Sequence, residues 1–216
     1  MVGGSKGKFF SGMEIYGFLI LVSIYAFIPF IWMLSTSLKT EAEAFRVPPT
    51  WIPIKSTIEA YIYMWTKKNF GIYFLNSTVI SLSTAVLSTF VGALAGYGFS
   101  RFIFKGRKFL IGFFLATQML PGVLLIGPYF KILSKFGLYD TRTGLVIAFL
   151  TICLPFATWM MKGFIDRVPD ALDQAALVDG CSRLGVFFRI ILPISAPGMV
   201  ATIIFAFLLA WGDLLW

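Results

Sequence analysis

The sequence predicts an all-α membrane protein, a polytopic helical bundle, and three observations carry that prediction. Of the 216 residues, 58% are apolar and only 13% charged, with a mean hydropathy of +0.86, far from the composition of soluble domains. Five stretches free of Asp, Glu, Lys and Arg reach or approach the roughly 20 residues that a helix needs to cross the hydrocarbon core. Inside them, runs such as Phe18-Leu-Ile-Leu-Val22 lack the period-two alternation of a barrel strand. Lipid offers no partner to a backbone N–H or C=O, so a segment must satisfy its own, and the helix is the form that remains.

The first span runs from Ile15 to Leu38 behind Lys6 and Lys8. It exceeds the roughly 7–15 residues of a signal-peptide core and no small-residue cleavage site follows it, so it reads as an uncleaved span. Thr40 to Lys68 comes next, with Pro48, Pro49 and Pro53 among Trp51, Tyr61, Tyr63 and Trp65. That composition suits a structured turn followed by an amphipathic piece at the membrane interface. Asn69 to Ser100 is the second span, Phe109 to Phe130 the third, Thr143 to Met161 the fourth and Ile190 to Gly212 the fifth. Pro29, Pro121, Pro128 and Pro155 fall inside spans, where a missing N–H should kink or break the helix. Such breaks survive only in contact with protein or a water-filled cavity, which suggests a transport pathway.

Orientation follows from the loops. Arg101, Lys105, Arg107 and Lys108 crowd one short connection, the kind held in the cytoplasm. Alternation then puts the amino terminus and 162–189 inside, and 39–68 and 131–142 outside. The total bias is small, 10 Lys/Arg inside against 8 outside, so the density of that one loop decides.

Several function classes are excluded. The net charge of +8 is dispersed between apolar runs, where it sets topology and meets lipid headgroups; it forms no contiguous face for nucleic acid. Cys153 and Cys181 are too far apart in the chain, one in a span and one in a loop, to suggest a disulfide or metal framework. With no histidine, the usual metal ligand and proton shuttle are missing. A membrane enzyme would need a nucleophile with its base, or a metal cluster, and an ion-coupled secondary transporter would generally carry ionisable groups in mid-membrane. The spans contain neither. Their polar residues, Asn76, Tyr97, Thr117, Gln118, Tyr129 and Trp159, suit an uncharged, hydroxyl-rich solute; the same residues also suit plain helix-to-helix packing.

One polar insertion stands out between the last two spans. Pro169 fits the first turn of a helix, Asp170 and Asp173 its positive end, and Gly180 a left-handed stop, so Asp170 to Asp179 reads as about three turns. Ala171, Ala175 and Val178 share one stripe, Leu172, Ala176 and Asp179 the next, with Asp170, Asp173, Gln174 and Leu177 opposite. An alanine-rich stripe lets another backbone come close. The helix carries aspartates and no cation, which anionic headgroups would repel, so a protein partner fits better than the membrane surface. Arg183 to Phe188 reads as a second short helix, and Pro193 as the bend into the last span.

Gln174-Ala175-Ala176, three residues, Gly180, nine residues, then Ile190-Ile191-Leu192-Pro193 resembles the EAA motif, E-A-A-x3-G-x9-I-x-L-P, of permease subunits of binding-protein-dependent ABC transporters. Ser37-Leu-Lys-Thr40, Pro48-Pro-Thr-Trp51, Asn76-Ser77, Tyr97-Gly-Phe-Ser-Arg-Phe-Ile-Phe-Lys-Gly-Arg107, Gln118-Met-Leu-Pro121 and Leu154-Pro-Phe-Ala-Thr-Trp159 narrow the resemblance to carbohydrate-uptake permeases of the maltose-transporter type, over Tyr25 to Trp216. Permeases of the same superfamily for amino acids, phosphate or polyamines stay open as the alternative. Two positions depart from the pattern. Gln174 replaces the family's glutamate, with Asp173 beside it as a partial substitute, and Trp211-Gly212 stands where the family has Trp-Asn.

The resemblance implies a type I ABC importer permease fold, arranged as a cytoplasmic amino terminus (1–14), a first span (15–38), an external loop (39–71) and a permease core (72–216) with a cytoplasmic coupling loop at 162–189. A sixth span is expected to be missing after Trp216. It also implies a coupling helix that docks on a separate ATPase, through Asp170, Asp173, Gln174, Ala175, Ala176, Asp179 and Gly180, with Leu192 and Pro193 passing motion to the last span. Asn76, Tyr97, Thr117, Gln118 and Trp159 are the candidates along a solute path. The implied partners are a second homologous permease, an ABC ATPase dimer, an extracytoplasmic solute-binding protein and the lipid bilayer of a bacterial or archaeal inner membrane. No cofactor is expected in this chain, because nothing in it resembles G-x4-G-K-[ST]; ATP and Mg belong to the ATPase, so the chain is not itself an enzyme.

Overall fold

The computed structural model describes residues 12–213, nearly all of them helical, and no strand occurs among them. The stretch with Lys6 and Lys8 that was read as cytoplasmic, and the terminal Leu214 to Trp216, lie outside the described residues. Two compact units divide at Gly71 and Ile72.

The first unit holds α1 (Gly12–Ser37), α2 (Glu41–Ala44) and α3 (Glu59–Lys67). At 26 residues, α1 extends about 39 Å, ample for a crossing, and Pro29 lies inside it without ending it. The turn expected after it is held by charge. The Glu43 carboxylate accepts hydrogen bonds from the Thr50 hydroxyl at 2.9 Å and the Ile54 N–H at 2.8 Å. The Lys39 ammonium donates to the Thr50 carbonyl and sits 4.5 Å above the Trp32 ring, which Trp51 meets edge-on.

The second unit holds α4 (Phe70–Arg101), which enters it at Ile72, then α5 (Arg107–Thr117), α6 (Gly122–Lys135), α7 (Arg142–Ile165), α8 (Asp170–Val178), α9 (Arg183–Val186), a π-helical turn Phe187–Ile191, α10 (Leu192–Ile194) and α11 (Ala196–Gly212). Helices α4 and α7 run in the same direction and touch through their backbones. A Cβ placed on Gly92 would lie 2.9 Å from Ala157, and one on Gly96 would lie 2.8 Å from the Lys162 nitrogen. With Thr84 and Ser88 these glycines repeat every four residues and so stack on one helix face. Lipid tails give apolar side chains no reason to leave them, so close approach of small residues is what holds such helices together. Antiparallel to both runs α11: Thr202 reaches the Met161 sulfur at 3.5 Å, Phe205 stacks on Phe156, and Ala206 packs with Ala85 and Cys153.

Two expected spans prove to be broken. The third bends by 96° between α5 and α6, where Pro121 supplies an extended residue ahead of α6. The Lys162 end of α7 shares a groove with Arg107, the Gln118 amide donates to the Ile152 carbonyl at 2.8 Å, and α6 leads into the start of α7 through Leu138–Thr141. The pair thus travels from one end of α7 to the other, about 30 Å, which makes it a broken crossing and not a loop that turns back. The fifth bends by 77° around Ser195, two residues beyond Pro193, so Ile190 to Ile194 belongs to the segment before the bend. Pro128 and Pro155, expected to kink or break their helices, do not break them and lie inside continuous ones. The Pro155 ring removes one N–H from the ladder, and the neighbouring Ile152 carbonyl accepts a hydrogen bond from the Gln118 amide.

Replacing Gly92 with Leu is expected to force α4 from α7 and destabilise the bundle by about 1–3 kcal/mol or more. Gly98→Ala, with open space around its Cβ position, should not lower the thermal unfolding midpoint in detergent, since alanine is the better helix former.

Candidate functional site

The site lies where α4 and α7 end. Its base is one apolar cluster, in which Ala93 and Tyr97 of α4 and Met161 and Ile165 of α7 pack with Ala176, Val186, Phe187 and Ile191. Tyr97 is central to it, its ring against Phe187 and its hydroxyl 3.5 Å from the Arg183 carbonyl.

On this base α8 is fastened by Arg101, the last residue of α4. Its Nε donates to Asp173 Oδ2 at 2.6 Å, its Nη1 meets Asp170 Oδ1 at 2.7 Å, and its Nη2 donates to the Val168 carbonyl at 2.7 Å. The Arg101 side chain is only 7% exposed and that of Asp173 3%, while Asp170 is 77% exposed. A guanidinium so enclosed needs fixed acceptors in its fork geometry. One is the carbonyl just before α8, and two are carboxylates in its first turn, where the positive end of the helix also favours them.

A second tie runs beside the first. Ser100 donates to Asp166 Oδ1 at 2.7 Å, and Lys162 pairs with the other oxygen of the same carboxylate. Partial burial acts to raise the Asp166 pKa, but the hydrogen bonds from Lys162 and Ser100 and the nearby Lys162 and Arg107 charges outweigh it and hold the group below its ordinary value. At its far end α8 closes as expected. Gly180 takes φ +84°, a left-handed turn that side-chain-bearing residues resist, while its N–H and that of Cys181 cap the carbonyls of Leu177 and Ala176.

This register decides which residues are presented. Asp173 and Ala176 turn inward, while Ala171, Leu172, Gln174, Ala175, Val178 and Asp179 are exposed, Val178 to 87%. Two expectations are corrected here. Asp173 does not stand in for the missing glutamate of the motif, because Arg101 has taken it, and Ala176 forms part of the base and not of an outer docking stripe. Leu192 and Pro193 lie in the short helix before the bend, where Leu192 packs against the same apolar base as Ala176.

The candidates along a solute path separate. Tyr97 is buried in the base. Gln118 and Tyr129, which meets the Thr151 hydroxyl, gather where α5 and α6 break against α7. The Thr117 hydroxyl bonds within its own helix to Phe114, Trp159 is half exposed, and Asn76 lies far off near the start of α4. From sequence alone Arg101 is one of four cations that set topology. Its signal was there, a cation on the last turn of a span facing an aspartate-only helix, but the pairing spans 72 residues and needs the fold to be seen.

Residues 88–216 match the model of the family described as "Binding-protein-dependent transport system inner membrane component". The chain belongs to that family. It is thus a multi-pass membrane permease subunit of an ABC importer, a transport and not a catalytic component. The permease is 38% identical to the Escherichia coli (strain K12) "Inner membrane ABC transporter permease protein YcjP" over 95% of this chain and 74% of that protein. It is 36% identical to the Streptomyces coelicolor "Diacetylchitobiose uptake system permease protein NgcG" over 93% of this chain and 66% of that one. With the Mycobacterium tuberculosis "Trehalose transport system permease protein SugB" the figures are 35%, 90% and 70%. The fold is shared with the "Crystal structure of a bacterial ABC transporter involved in the import of the acidic polysaccharide alginate", at a TM-score of 0.76 and 21% identity over 95% of this chain and 74% of that one.

Breaking the buried pair by Arg101→Met is expected to destabilise the seating of α8 by about 3–5 kcal/mol, read as faster hydrogen exchange across 170–178. Asp170→Asn, at an exposed carboxylate, should cost under about 1 kcal/mol. The Asp166 tie has a defined pH dependence. A carboxylate whose folded pKa is lowered stabilises the fold above its ordinary value and loses that contribution as pH falls through the folded one. The difference in unfolding temperature between the wild type and Asp166→Asn should therefore be constant around neutrality, begin to shrink only near about 3.8, and vanish once pH has fallen through the lower folded value.

Proposed function

We propose that this permease serves the uptake of sugars or oligosaccharides and that α8 is the handle by which a separate ATPase moves it. One observation carries the mechanical half: α8 offers an unpartnered outer face of Ala171, Leu172, Ala175 and Val178, while Arg101 and the apolar base fix its inner face to α4 and α7. A helix seated in this way passes displacement to the spans instead of sliding over them. The carbohydrate half is supported by the relatives named for diacetylchitobiose and trehalose uptake and by spans whose polar groups carry no charge.

The assembly in this reading holds a second homologous permease, two ATPase subunits that bind ATP and Mg, and an extracytoplasmic solute-binding protein. In this reading the α8 end and the amino terminus face the cytoplasm, which the density of Arg and Lys after α4 supports. Closure of the ATPases on nucleotide draws α8, and with it the ends of α4 and α7. The breaks at Pro121 and Ser195 let the remaining halves of the third and fifth crossings realign around a central cavity. A few kcal/mol of differential docking between open and closed ATPase suffices to bias such an equilibrium. Because Gln174 lacks the glutamate charge, docking rests on shape and apolar contact.

Substituting Ala175, exposed on the outer face, with Trp is expected to preserve membrane insertion and thermal stability while abolishing co-purification of the ATPase and solute-stimulated ATP hydrolysis. Normal stimulated hydrolysis in that variant would place the coupling surface elsewhere. For the cargo, a transport assay should show uptake of a neutral di- or oligosaccharide, competed by sugars and not by amino acids or phosphate.

A further inference from the structure

We propose that the seam between the start of α5 and the end of α7 is a binding site for an anionic phospholipid. Two open grooves meet there, of about 440 Å³ and about 630 Å³, and both are lined by Ile111 and Lys162. Arg167 and Asp166 line the first, Arg107 and Lys108 the second. Four cations thus face one carboxylate, and that carboxylate is already engaged by Lys162 and Ser100. Among the described residues neither Arg107, Lys108 nor Arg167 makes an ion pair.

The helix itself deepens the imbalance. Arg107 and Lys108 open α5, and Gly106 before them offers no side-chain cap. Two cations at the positive end of a helix are on the wrong side of its dipole, an arrangement that a bound anion would relieve. Beside the cations rises an apolar wall. Ile103 and Phe109 are well exposed, Phe109 stacks on Phe113 at 6.4 Å, and Trp159 on α7 is half exposed beside Ile111.

Compact negative charge at one end and hydrocarbon at the other is the chemistry of a phosphodiester headgroup with its acyl chains, and basic pockets between membrane helices suit such headgroups. A free phosphate matches only the cationic end, and a zwitterionic lipid adds a cation where four already stand. Lys162 lines both grooves and its ion-pair partner Asp166 lines the first, next to the tie that holds α8, so the lipid would stiffen the same corner of the fold.

The test uses the purified, assembled complex in neutral detergent, titrated with phosphatidylglycerol, phosphatidylcholine or inorganic phosphate while its unfolding temperature is followed. Phosphatidylglycerol alone should raise the midpoint, and Arg107→Gln, Lys108→Gln and Arg167→Gln together should weaken that response by about tenfold or more. An equal response to phosphatidylcholine or phosphate, or an unchanged response in the triple variant, would overturn the proposal. Should the variant fail to fold, a photoactivatable phosphatidylglycerol on the wild type decides. Labelling concentrated in 103–113 and 159–167 supports the site; labelling spread over the spans, or a partner subunit found seated in the seam, refutes it.

Discussion

The arrangement of this permease depends on one enclosed guanidinium. Arg101 ends a 32-residue helix, and its three arms reach the carbonyl before α8 and two carboxylates inside it. Membrane helices ordinarily gain little from apolar association, since lipid is as good a neighbour as leucine. A short polar helix lying outside the spans therefore has no strong reason to stay in register with them. Charge supplies it: Asp173, buried with Arg101, cannot leave without stranding a cation. The apolar cluster under it, built around Tyr97, Phe187 and Ile191, then excludes water from the pair and strengthens it.

Rigidity at this end contrasts with the breaks elsewhere. Where α4 meets α7 the contact is backbone to backbone through Gly92 and Gly96, and neither helix is interrupted. The third and fifth crossings, which surround that pair, are both bent, one at Pro121 and one at Ser195. A bundle with two unbroken helices tied to its handle and two segmented ones around them has a defined division between what carries motion and what yields to it. Gln118 and Tyr129 sit by the first of those breaks, against α7 at Thr151 and Ile152, where polar groups satisfy backbone and hydroxyl partners midway along that helix.

Much of this was legible in the sequence because it is local. Charge-free runs gave the crossings, and Pro169, the early aspartates and Gly180 gave α8 to within a residue of its bounds. What was not legible depends on register and distance. A helical projection names stripes but not which of them faces home, and so Ala176 and Asp173 were assigned outward. Pro121 and Pro193 announce bends in the third and fifth spans, but counting apolar residues gives neither their angles, 96° and 77°, nor the place of the second, which lies at Ser195. The repeat of Thr84, Ser88, Gly92 and Gly96 was readable as a packing face but carried no charge or proline to draw notice. Arg101 was visible only as one cation among four, since its acceptors lie far along the chain.

The central claim is that α8 and the ends of α4 and α7 move as one body. Spin labels at Val178, on the outer face of α8, and at Gly98, on α4 with open space around it, would report it by pulsed dipolar distance measurement on the assembled complex, with and without nucleotide. The account expects this distance to hold constant through the cycle while the distance from Val178 to its counterpart across the assembly changes. A Val178–Gly98 distance that shifts with nucleotide would mean that α8 moves on its own, and the account would be wrong.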